Sequence, residues 1–318
     1  MKGSSRLLIV AAAAIVPLVF AIAAYAGAFD TNFGTGALAS PGGGSNYNAA
    51  FGYFALNANS NGSGNTAVGF DSLLVNTNGS DNTALGKSAL ASNTLGQENT
   101  AVGESALGSN VSSSNNTAVG TAALFSATGA DNTAVGLSAL QNTTTGTSNV
   151  GVGKNVLLAN TTGGSNVAVG PGALGLTTTG GSNVAVGSNA GVGPNGNTTG
   201  SANTFLGVEA GTGTDTQISS ATAIGANAVV SQSNSVVLGA PNANVGIGIE
   251  APKSKLQIGT GVTGTYGDYL QLPVVASTSP PPSTDCGSTV DVGRLVVQQK
   301  GKKLTLWGCS SLLKWVKL

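Results

Sequence analysis

The chain of 318 residues contains no histidine. That removes imidazole acid–base chemistry, Ser–His triads and His metal ligands. Only 8% of the residues are charged, and twelve acidic side chains balance twelve basic ones. No global attraction to nucleic acid is expected from such a balance, and none to an anionic membrane surface. Aromatic residues supply 5%, against 49 glycines, where an ordinary domain has about 25% charge and about 7% glycine. So few large side chains cannot fill a wide core. A disordered polar chain or a thin repetitive solid remains. Disorder accompanies low hydropathy and high net charge. Here mean hydropathy is positive and the net charge is zero, which selects the thin solid.

The start of the chain reads as an export signal. Lys2 and Arg6 precede an uncharged stretch, residues 7–29, that passes through Ala24-Tyr25-Ala26. This small-x-small triplet predicts cleavage between Ala26 and Gly27. The rival is an uncleaved anchor, since about 20 apolar residues suffice to span a bilayer. Either way the bulk of the chain is expected outside the cytoplasm, secreted or at the cell surface. The only membrane contact foreseen is through that segment.

What the sequence has in abundance is one phrase. "DNTAVGLSAL" at 131–140 is nearly repeated as "DNTALGKSAL" at 81–90 and "NNTAVGTAAL" at 115–124. Aligned on its glycine, the phrase recurs at Gly52, Gly69, Gly86, Gly103, Gly120, Gly136, Gly153, Gly170, Gly187, Gly207, Gly225 and Gly239. Most steps are 17 residues, and the last three are 20, 18 and 14. A period of this size marks a solenoid or stacked array. The step is too short for two packed helices, whereas β-branched residues and glycines favour short strands and turns. The expectation is an all-β parallel β-roll or β-solenoid of about 12 coils, each strand bonding to the next copy of itself. At about 4.8 Å per coil the rod is roughly 55 Å long.

Alternation sets the facing. The Ala and Val of "NTAVG" must point to opposite sides of a strand. The narrow inside suits Ala, which leaves Val68, Leu85, Val102, Val119, Val135, Val152, Val169, Val186, Leu206, Ile224 and Leu238 as an apolar row that needs a partner surface. An oligomer with this row as its seam is expected. The alternative is a monomer whose Val row is its own core, with Ala outside. A second row holds Asn65, Asn82, Asn99, Asn116, Asn132, Asn149, Asn166, Asn183 and Asn203, which can stack one coil apart in a hydrogen-bonded ladder. Asn also tolerates left-handed backbone.

The copies of Asn-Thr-Ala-Val-Gly-x-x-Ala-Leu resemble the head repeats of trimeric autotransporter adhesins and related tail-fibre-like proteins. The resemblance covers residues 46–240. It implies a left-handed parallel β-roll in which three chains lie side by side for attachment, hence a homotrimer. "NVGIGIEAPKSKLQIG" at 244–259 resembles a segment that follows such repeats in fibre proteins. The family's barrel anchor and coiled coil have no counterpart in the roughly 60 residues after Lys255.

Beyond the repeats, "ASTSPPPSTD" at 276–285 reads as a linker. "RLVVQQ" and "KLTLWG" flank Lys300-Gly301 and read as a β-hairpin. Cys286 and Cys309 are the only cysteines. In an exported chain a disulfide is their simplest use, and two thiolates without further soft ligands are a poor metal site. Lys302, Lys303, Trp307 and Trp315 form a possible surface contact for an acidic glycan. The plainer reading is lysines that blunt exposed strand edges. The organisation expected is 1–26 signal peptide, 27–45 leader, 46–240 repeat head, 241–275 β connector, 276–285 linker and 286–318 terminal module.

"ALGKSAL" at 84–90 fails as a phosphate loop, because Asp81 stands where its first glycine is required. No catalytic, cofactor or metal site is expected. The expected function is structural: an adhesin-like head that presents polar loops to a glycan or protein receptor. Two alternatives stay open. One is ice binding through the row Thr66, Thr83, Thr100, Thr117 and Thr133, which lapses to Val150, Val167 and Val184. The other is a tailspike-like glycan-binding or glycan-hydrolysing protein.

Overall fold

The structure, a computed structural model, describes residues 30–40, 47–193, 198–213 and 217–258, together with strands at 274–276, 295–300, 303–309 and 315–317. It is all-β, with no helix among the described residues. The chain divides into two units, 1–243 and 244–318.

The first unit is a parallel β-solenoid. Its main sheet has 13 strands: β1 (Thr31–Phe33), β2 (Ala49–Phe51), β3 (Thr66–Val68), β4 (Thr83–Leu85), β5 (Thr100–Val102), β6 (Thr117–Val119), β7 (Thr133–Val135), β8 (Val150–Val152), β9 (Val167–Val169), β10 (Val184–Val186), β11 (Thr204–Leu206), β13 (Thr222–Ile224) and β15 (Val236–Leu238). Each pairs with its successor in the list, so equivalent positions of successive repeats face one another, as in Thr83↔Thr100, Ala84↔Ala101 and Leu85↔Val102. Two further strands, β12 (Gly211–Thr212) and β14 (Val229–Val230), form a small parallel sheet in the irregular last coils.

The glycine after each strand turns the chain. Gly69 has φ +136, and a Cβ there would lie 2.6 Å from the carbonyl oxygen of Gly86 one coil on. No L side chain fits that conformation and that approach together.

The interior consists of columns of small residues and one column of leucine. Ala67, Ala84, Ala101, Ala118 and Ala134 of the strands are fully buried, as are Ala89, Ala106, Ala123 and Ala139 of the following turn. Beside them Leu56, Leu73, Leu90, Leu107, Leu124, Leu140 and Leu157 are fully buried too. The alternative facing, with the Val row inside and Ala outside, is thereby overturned. Alanine lies within because opposite walls of so thin a coil approach too closely for a second bulky residue. The leucines also stand in left-handed backbone, for example Leu107 at φ 51. That conformation costs about 1–2 kcal/mol per residue, and burying a leucine, worth about 1.5–3 kcal/mol, offsets it.

Where the repeat deviates, volumes compensate. Gly191 takes the leucine position, and Phe205 takes an alanine position in the next coil. A Cβ on Gly191 would meet the Phe205 ring at 3.0 Å. Gly151 likewise replaces a strand alanine beside Val156, where alanine is the rule.

The solenoid begins earlier than the repeats suggest. β1 lies in the stretch expected to be a leader, yet it pairs in register with β2. Asp30 replaces the usual Asn, which hid this coil from the pattern.

In the second unit, β16 (Val245–Ile247) and β17 (Leu256–Ile258) form a parallel pair. A four-stranded sheet follows, in the order β18 (Val274–Ala276), β19 (Leu295–Lys300), β20 (Lys303–Cys309), β21 (Trp315–Lys317). β19 and β20 are the expected antiparallel hairpin strands, with Val297 opposite Leu306. β18 and β21 enlarge it. They are three residues long and too short to carry a pattern of their own.

Candidate assembly face

The outer side of the main sheet carries two columns per strand, on either side of the buried alanine. One is the threonine/valine column from Thr66 to Val236, and the other is the Val/Leu/Ile row. In the single chain this row is half-exposed. Leu85 shows 47% of its surface, Val169 39%, Val186 42% and Leu238 50%. Val68, Val102, Val119, Val135 and Leu206 are intermediate, and Val152 and Ile224 are exposed. Neither column includes a charged residue. Register pairing holds the face regular, since each side chain sits one strand spacing from its equivalent. The result is a long, charge-free, apolar strip on a stiff backing. Its only polar side chains are threonine hydroxyls, with no carboxylate, amine or thiol among them. What it can do is exclude water against a complementary surface.

Behind this face lies the polar spine. Asn65, Asn82, Asn99, Asn116, Asn132, Asn149, Asn166, Asn183 and Asn203 are fully buried or nearly so. Each side-chain oxygen accepts from the next asparagine, as when Asn82 N and Nδ2 donate to Asn65 Oδ1 at 3.0 and 3.1 Å. At one end Asp30 Oδ1 accepts from Asn48 N at 2.7 Å and from its Nδ2 at 3.2 Å. At the other end Ala221 N donates to Asn203 Oδ1. The left-handed residue is not the ladder asparagine but the one before it, such as Asp81 at φ 58.

A second ladder escaped sequence reasoning. Asn76 Nδ2 donates to Asn59 Oδ1, Asn93 Nδ2 to Asn76 Oδ1 and Asn110 Nδ2 to Asn93 Oδ1, at 2.8–2.9 Å. Ala127 interrupts it, and threonine replaces asparagine at Thr143 and Thr177. Asn160 Nδ2 donates to Thr143 Oγ1 at 3.4 Å, while Asn160 Oδ1 is left buried without a hydrogen bond. The motif Asn-x-x-Gly at Asn59, Asn76, Asn93 and Asn160 was the available signal.

The exposed edges are polar and sparse in charge. The ion pair Lys87–Glu104 spans 3.0 Å on open surface, where such pairs contribute little. An open depression of about 630 Å³ lies where the coil spacing varies, lined by Asn189, Val192, Thr212, Asn227, Val229 and one carboxylate, Glu209.

The remaining expected sites lie elsewhere. Cys309 and Lys303 lie on β20 and Trp315 on β21, and Trp307 is partly buried. Cys286, Lys302, Ala26 and Gly27 lie outside the described residues, and with them the expected disulfide and cleavage point. No protein-family model matches the chain, and a search of curated proteins finds no match.

Proposed function

We propose that this chain is a structural, adhesin-like protein, secreted or displayed at the cell surface, that assembles as a homotrimer through its outer apolar face. The observation that carries the reading is the half-exposed Val/Leu/Ile row, unbroken by charge from Val68 to Leu238. A strip of this length in water is an interaction surface. Taking each such side chain from half-exposed to buried contributes about 1 kcal/mol. Some ten of them per chain outweigh the cost of association. The Asn-, Thr- and Ser-rich turns then face outward to a glycan or protein receptor, with no cofactor and no chemical step. The test is native mass spectrometry of the wild type and of Val119→Asp. A trimer that dissociates in the variant supports the reading, and a folded wild-type monomer overturns it.

A second reading uses the same face. The in-register threonines of β3–β7 form a regular hydroxyl row suited to ice. The two uses exclude each other, because a seam buried in a trimer meets no ice. A monomer with thermal hysteresis favours ice binding.

A further inference from the structure

Aromatic residues are gathered at one end of the solenoid. Phe33, Tyr47, Phe51, Tyr53, Phe54 and Phe70 fall in the first three coils, whereas residues 71–258 hold only Phe125 and Phe205. Off the seam, Tyr47 is 66% exposed, Phe70 48% and Tyr53 46%; Phe33, 77% exposed, continues the seam column itself through Phe51 to Val68. Tyr53 and Phe70 occupy one column on successive coils, off the apolar seam. Their rings stack with centroids 5.2 Å apart and planes 9° from parallel. Phe54 abuts Tyr53 at 4.2 Å.

The same coils carry no charge. Residues 31–70 contain no charged side chain; residues 155–208 are uncharged too, but their single aromatic, Phe205, is buried, so outward aromatics and absence of charge coincide in the first coils. Asp30, just before, is engaged at the end of the asparagine ladder. A band of three coils is roughly 10 Å deep at about 4.8 Å per coil, of the order of the headgroup layer that flanks the hydrocarbon core. Asp30 alone separates the uncharged stretch 7–29 from this band in the sequence. Lys2 and Arg6 at its far end favour an orientation with the solenoid outside.

We propose that residues 7–29 are retained as a membrane anchor and that the aromatic band of the first three coils rests in the interfacial layer of the lipid bilayer. Amphipathic and aromatic rings settle where apolar and wet regions meet. Exclusion of charge from 31–70 removes the groups that such burial would penalise. The inference rests on the export topology but not on the trimer. A glycan could stack on the same rings, but the closeness in sequence of the band to the apolar stretch favours lipid.

The full chain is reconstituted in phosphatidylcholine vesicles that contain a lipid with a photoreactive headgroup, and crosslinks are mapped by mass spectrometry. Crosslinks are expected at 47–54 and at Phe70, and none at Leu137, which holds the same column farther along the solenoid. The double variant Tyr53→Ser, Phe70→Ser should lose them with an unchanged circular dichroism spectrum. Should that variant misfold, the contrast between Phe70 and Leu137 in the native chain still decides. Crosslinks confined to 7–29, a native membrane preparation in which the chain begins at Gly27, or shielding of the band by polysaccharide but not by vesicles overturns the proposal. A monomer by mass with the same crosslinks would sink the trimer and leave this inference standing.

Discussion

Asn65 and Asn76 donate from their side-chain amides to one carbonyl oxygen, that of Gly79, each at 2.9 Å. The same fork recurs at Gly96 with Asn82 and Asn93, and at Gly163 with Asn149 and Asn160. Both lone pairs of a buried carbonyl are thus satisfied. The two ladders are tied together within each coil as well as along the stack. In a coil with so little apolar volume, saturated polar bonding of this kind specifies the backbone path.

Asn149→Ala should lower stability by about 2–3 kcal/mol, because Asn166 N loses its acceptor while remaining buried. Asn160→Ala should cost less, since its side-chain oxygen has no partner to lose. Thermal melts of the two variants compare the losses. A larger loss for Asn160→Ala would refute the ladder as the stabilising element.

Thr177→Asn should raise stability by about 1 kcal/mol. Its new amide would donate to Asn160 Oδ1 and to Gly180 O, which repeats the geometry at Asn76. Slower amide exchange in this coil and a higher melting temperature are the expected readings.

Two backbone substitutions should act in opposite directions. Gly103→Ala places a Cβ 2.6 Å from the Gly120 carbonyl group at φ +131, and should destabilise by about 1–3 kcal/mol. Ala122→Gly relieves a left-handed alanine at φ 55. Its net effect, up to about 1 kcal/mol of stabilisation after the unfolded-state entropy of glycine is subtracted, is read from chemical denaturation.

Leu107→Ala removes a fully buried side chain and should cost about 2–5 kcal/mol at any protein concentration. Val119→Ala removes a partly exposed one. If the proposed trimer forms, its cost should grow as concentration rises through the assembly range, because the seam would be buried only on association. Melting curves over a wide concentration range separate the two.

Much of the fold was legible because the solenoid is written locally. The glycine spacing located the strands, and the repeated Asn-Thr-Ala-Val-Gly placed alanine and valine on opposite sides. The first coil was not legible, because Asp30 supplies the same acceptor oxygen as asparagine but spells a different residue. Nor were β18 and β21: each is three residues long and carries no pattern, and β18 pairs with β19 across a long intervening segment, Val274 with Val297.

By itself the sequence determined the period, the strand positions, the parallel in-register pairing and the row of asparagines. All of these follow from side-chain identity at fixed spacing. Only the tertiary structure decided that leucine in left-handed backbone fills the core, that Phe205 makes good the volume missing at Gly191, and that two asparagine ladders share one carbonyl. Those outcomes depend on how far the walls of a closed coil stand apart, a distance set by closure in three dimensions and by no single repeat.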